Sequence, residues 1–387
     1  MMSGEGRDVR LDFFRGLALI FIFVDHIPDN LLAYTTLGNV VFSDAAEVFV
    51  FISGYTAAVV FGGLERKYGP LFAAVQVLRR CWSLYVAHIF VFIIFTAQVS
   101  WTAERTNNQM FAEEMGVVAF LAEPHIAVIR ALSLSFQPAF MNILPLYIVL
   151  LATLAVLLPL IARRPRVVLI VSGAIYLATH IFRFNPSTYP AGVWFFNPLA
   201  WQFLFLLGAV IGRASLDGGI AFLARRDVFV ASCVILALCV AVRVPLTILY
   251  LVDRSPADIV AFTIAIGDKT NLGPLRLINF LALAHVVATL VRRDSPFLAW
   301  RWTEPVVVCG RQSLAVFCLG IFLSYAAHVA LTEVNHSFVI QFSVTAAGVV
   351  LMYLLARILD WSKTRPAARP TGRIGASAPG QSAQGGK

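Results

Sequence analysis

The chain has 387 residues, of which 59% are hydrophobic and only 13% charged, with a mean hydropathy of +0.80. This excludes an ordinary soluble domain and a disordered chain and fits a polytopic membrane protein. The net charge of +9 suggests nucleic acid only until its distribution is examined, because the basic residues are spread over short loops on one side of the expected membrane topology.

Ten apolar stretches are expected to cross the bilayer, at 11–32, 44–62, 78–100, 138–162, 166–184, 193–213, 227–252, 272–291, 305–331 and 338–360. Each meets or approaches the roughly 20 residues that a crossing requires. The expected fold class is therefore all-α, with an even number of spans and both termini on the cytoplasmic side. Residues 1–360 form the membrane domain. The first stretch lacks an Ala-x-Ala-like cleavage site and is expected to remain as a helix.

Helix one carries Arg15 and His26. Charged or titratable side chains inside a membrane helix are expensive and read as functional by default. Eleven residues advance a helix by about 1,100°, back to nearly the same face and about 16 Å further along. Histidine is suited to taking and returning a proton near neutral pH, and arginine to holding phosphate. A base and a phosphate anchor so spaced match an elongated donor such as acyl-coenzyme A. The plain alternative is a paired arginine near the interface and a histidine bonded to a backbone carbonyl. Asp12, one turn from Arg15, is a salt-bridge candidate for it.

Helix two opens with Asp44-Ala45-Ala46-Glu47. Glu47 falls at a depth similar to His26 and either orients the imidazole or caps its own helix, two compatible roles. Ser53 and Gly54 read as small residues for close helix packing. Helix three begins with Arg79-Arg80, a topology signal that also suits donor phosphates. Segment 101–137, with Glu104, Glu113, Glu114 and Glu123, is an expected outer loop.

Later helices bring Asn142, Tyr147, Asn197, Trp201, Gln202, Lys269, Asn271, Arg276 and Asn279 to one outer depth. Tyr147, Trp201, Gln202, Lys269 and Arg276 are candidates for binding an acceptor or an anionic acyl tail. Lys269 and Arg276 stand out as cations on the side that should lack them. Gln312 and His328 read as structural hydrogen-bonding residues. The five cysteines lie in apolar runs without metal-ligand spacing, so no metal site is expected. The tail 361–387 is rich in Pro, Gly, Ser and Ala and reads as a disordered cytoplasmic end.

Of the 30 Lys and Arg residues, 23 fall on the side assigned to the cytoplasm and seven on the other: Arg105, Arg130, Arg183, Arg243, Arg254, Lys269 and Arg276. This is the positive-inside pattern, and it explains the net charge without nucleic acid. No internal repeat is visible. A proton-coupled transporter using Arg, His and Glu as a relay is the rival reading.

Arg15, ten residues and then His26 is similar to the signature of acyltransferase-3-type membrane acyltransferases. More narrowly, Arg10-Leu11-Asp12-Phe13-Phe14-Arg15-Gly16, Asp25-His26-Ile27-Pro28 and Phe42-Ser43-Asp44-Ala45-Ala46-Glu47 resemble the OpgC branch. So do Leu144-Pro145-Leu146-Tyr147-Ile148, Asn197-Pro198-Leu199-Ala200-Trp201-Gln202 and Gly310-Arg311-Gln312-Ser313-Leu314-Ala315-Val316-Phe317. The resemblance implies a multi-pass protein of the inner (cytoplasmic) membrane of a Gram-negative bacterium. It implies acyl-coenzyme A, as succinyl-coenzyme A, as co-substrate rather than bound cofactor, and a periplasmic glucan as acceptor. Carried over, His26 is the base, Glu47 its orienting group, and Arg15 a donor-binding residue. Adjacent Arg79-Arg80 departs from the Arg-x-x-Arg common in helix three of the broader family.

Overall fold

A computed structural model describes residues 8–252 and 267–364. Among the described residues there are fourteen α-helices, and β-structure is limited to one isolated bridge between Ser187 and Val193. The helices are α1 (Val9–Asp25), α2 (Ala45–Tyr68), α3 (Pro70–Thr106), the short α4 (Met110–Glu114), α5 (Val118–Ala122) and α6 (Pro124–Leu132), then α7 (Ile143–Arg163), α8 (Pro165–Phe182), α9 (Pro198–Ser215), α10 (Arg226–Leu251), α11 (Pro274–Leu290), α12 (Glu304–Arg311), α13 (Ser313–Glu333) and α14 (Phe338–Thr364).

Eight of these are long and apolar enough to cross a bilayer, while α1 and α11 have 17 residues each. The protein is an all-α polytopic membrane protein, and every expected span corresponds to a helix or, for 305–331, to the broken pair α12–α13. The break falls at Gln312, which has non-helical backbone angles.

The boundaries differ where local chemistry overrides hydropathy. α1 ends at Asp25 rather than 32, because Pro28 lacks an amide hydrogen and biases Ile27 away from the helical region. Residues 31–39 instead form two short 3₁₀ turns. α3 runs on to Thr106, ending at Asn107 in the left-handed conformation, so the expected outer loop is shorter and holds α4, α5 and α6. α7 begins at Ile143 rather than 138, after Pro138 and the positive-φ Phe140. The reading of residues 365–387 as a tail, and the placements of Arg7 and Arg254, lie outside the described residues.

Two close crossings set the framework. On α2 and α9, a Cβ added at Gly54 would collide with the Phe205 carbonyl, and one at Gly208 with the Phe51 carbonyl. Gly16 and Gly310 bring α1 equally close to α12. With no hydrophobic force between helices in lipid, backbones this near gain van der Waals contact that larger residues would forbid. Ser232 Oγ and His285 Nδ1, 2.9 Å apart, join α10 to α11.

Candidate functional site

α1 and α2 are joined at the lower level by Arg15 Nη2, which donates to Thr56 Oγ1 at 2.7 Å. Because α2 returns alongside α1, the helical rise places Phe49 about 10 Å above that bond and His26 about 16 Å above it. His26 is the C-cap of α1, one residue beyond the helix, so the regular helical repeat that begins before Arg15 ends just short of it. Its ring is half-buried and packs on Phe140 with centroids 4.7 Å apart. Among the described residues neither ring nitrogen has a hydrogen-bond partner. Burial disfavours the imidazolium and Lys269 adds to this, while Asp44 opposes, so the pKa lies below the ordinary histidine value.

Asp44 is the hub beside it. Its Oδ1 accepts from the Ala46 amide at 2.8 Å, and its Oδ2 meets Lys269 Nζ at 2.7 Å and Arg276 Nη2 at 2.9 Å. Burial raises a carboxyl pKa, but the two cations hold that of Asp44 below its ordinary value. Glu47 completes a capping box, accepting from the Asp44 amide at 2.9 Å through Oε2 and from Arg276 Nε at 2.6 Å through Oε1. Both oxygens are thus engaged, and the hydrogen bond expected between Glu47 and His26 is not formed. Capping geometry directs this carboxylate back to its own helix start.

A cavity of about 300 Å³ opens between α1, α2, α3, α7 and α13. Arg15, Arg80, Ser53 and Thr56 line its polar part; Phe49, Tyr147 and Phe317 line its aromatic part. No acidic side chain lines it. Two guanidinium groups lining a space without a lining carboxylate give it the chemistry to receive an anion. The cavity thus unites Arg15, Arg80 and Tyr147, which sequence spacing alone could not bring together. Arg79 is exposed and does not line it.

Other expected residues lie elsewhere. Trp201 is fully buried, and its Nε1 donates to the carbonyls of Lys269 and Thr270 at 3.1 and 3.2 Å. It anchors the segment that carries Lys269 rather than lining an open mouth. Gln202 is buried against α8, accepting from Ser172 Oγ at 2.5 Å and donating to its carbonyl at 2.9 Å. Asn197 and Asn271 are bonded at 2.8 Å, and Asn279 accepts from the Ser43 amide and hydroxyl at 3.1 and 2.9 Å. Arg276, at 9% exposure, is locked between two carboxylates, whereas Lys269 keeps more solvent contact. His328 meets Glu114 at 2.9 Å, and Gln312 accepts from Lys363 at 2.6 Å, both structural roles. Asp12 is buried with Arg311 at 4.0 Å. Among the described residues no cluster could hold a metal ion.

Sequence reasoning gave Asp44 no role of its own. The available signal was an Asp-x-x-Glu capping box facing two cations on the side depleted of them. Thr56 and Phe49 gave no signal, because only the fold brings them to the cavity.

A family model described as OpgC protein matches residues 7–364. No curated protein and no solved structure matches the chain.

Proposed function

Because this chain belongs to the OpgC protein family, we propose that it is a membrane O-acyltransferase that moves a succinyl group from cytoplasmic succinyl-coenzyme A to hydroxyls of a periplasmic glucan. The convergence of Arg15 on α1 and Arg80 on α3 on one cavity without acidic lining supports this reading most directly. Such a site suits the anionic portion of a donor that enters from the basic, cytoplasmic side.

In the proposed reaction the neutral imidazole of His26 accepts the proton of a sugar hydroxyl as its oxygen attacks the thioester carbonyl. The carbon–oxygen bond forms, the carbon–sulfur bond breaks, and the coenzyme A thiolate leaves and recovers a proton. General-base help of this kind contributes about 10²–10⁴-fold. A depressed pKa keeps His26 in its proton-accepting form at neutral pH. Asp44 and Glu47 act one step away, by fixing Lys269 and Arg276 at the same level. Lys269, the more accessible cation, suits the acyl carboxylate or the developing oxyanion.

The test compares the masses of periplasmic glucans from cells with the gene, without it, and with His26→Ala. The expected result is an acyl increment present only with the unaltered gene. Normal acylation by the His26→Ala protein would remove His26 as the base, and an increment unaffected by deleting the gene would remove the function.

A further inference from the structure

The cavity lining does not include the candidate base, and the side chains it presents toward the outer ends of α2 and α7 are largely aromatic. Phe49, Tyr147 and Phe317 all line its wall. The Phe49 ring meets Tyr147 edge-on at 5.9 Å and lies nearly parallel to Phe317 at 6.5 Å. Tyr147 is held in turn by Phe205, at 6.5 Å. Phe49 is only 7% exposed. By helical rise it sits about 6 Å below His26 and about 10 Å above the Arg15–Thr56 bond.

We infer that Phe49, with Tyr147 and Phe317, is the steric selector that sets the size of the acyl group passing from the cavity to His26. The inference rests on the acyl-transfer reading and names the residues that decide which donors serve it. A donor anchored at Arg15 and Arg80 reaches His26 only past these rings. The backbone cannot yield to make room, because Gly54 and Gly208 already hold α2 against α9 without space for a methyl group. The rings must therefore rotate, and close-packed rings yield space for a few carbon atoms at most. Short acyl groups pass and long ones do not. Discrimination of this steric kind is worth about 10- to 200-fold per methylene in a fitted pocket.

The experiment uses the full-length protein in liposomes with a glucan acceptor and acetyl-, succinyl- and hexanoyl-coenzyme A as donors. The readout is the ratio of kcat/KM for hexanoyl to that for acetyl. The unaltered protein should strongly favour the short donors, and Phe49→Ala should raise the ratio by about tenfold or more. Phe49→Leu and Phe317→Leu, which preserve most of the packing, should raise it less, and they decide the matter if the alanine variant does not fold. An unchanged ratio in the folded variants, or an unaltered protein that uses hexanoyl and acetyl donors equally, would overturn the selector. Failure of the unaltered protein to transfer any acyl group would instead overturn the proposed function, so the two failures are distinct.

Discussion

The guanidinium of Arg276 on α11 donates through Nε to Glu47 Oε1 on α2 at 2.6 Å, and Glu47 has no solvent exposure. Two helices more than 200 residues apart in sequence are thereby locked at the level of the candidate base. Removing one member of a buried pair leaves the other charge unsatisfied, at about 3–5 kcal/mol. Arg276→Met should therefore lower the thermal unfolding temperature in detergent markedly, and adding Glu47→Gln should restore much of the loss. Equal stability of the single variant and the unaltered protein would show that the pair carries little.

A second expectation concerns pH. In the proposed reaction the neutral imidazole is the active form, and it persists above the pKa of His26. Since that pKa is below the ordinary 6.5, the acid limb of kcat/KM should have its midpoint below pH 6.5. Lys269 opposes the imidazolium, so Lys269→Met should shift the limb upward. A downward shift, or none, would break the electrostatic link between these residues.

The adjacent arginines of α3 should behave unequally. Arg80 lines the cavity and Arg79 is exposed. A hydrogen bond to a charged group contributes about 1.5–3 kcal/mol, so Arg80→Ala should raise the apparent KM for the donor by about tenfold or more. Arg79→Ala should leave that constant close to its original value. Equal effects in steady-state kinetics would indicate that both act through surface charge alone.

Helix spacing gives a test independent of activity. A side chain at Gly208 has nowhere to go but into the Phe51 carbonyl, so Gly208→Val should cost at least the 1–3 kcal/mol typical of overpacking, about enough to deplete the folded protein. Gly63 on the same helix as Phe51 has nothing within 4 Å of an added Cβ. Gly63→Ala should be tolerated or stabilise slightly, by up to about 1 kcal/mol. The yield of monodisperse protein in detergent distinguishes the two.

The sequence by itself determined the fold class and the approximate positions of the apolar helices, and it singled out Arg15 and His26 by their spacing. These depend on hydropathy and on a fixed helical repeat, which act over about 20 residues and need no partner. It also marked Gly54 as a packing residue and set Lys269 and Arg276 apart as misplaced cations. It did not determine where α1 stops or where the span 305–331 breaks, because backbone chemistry at Pro28 and Gln312 is invisible to an average of hydropathy. Only the tertiary structure decided that Arg80 rather than Arg79 lines the cavity, that Glu47 is bound to Arg276 rather than to His26, and that Phe49 lines the cavity beside Tyr147 and Phe317. Each of those outcomes depends on which helices become neighbours and how they are rotated. That is settled by close packing at Gly16, Gly54, Gly208 and Gly310 and by pairing of buried charges, interactions between residues that are remote along the chain.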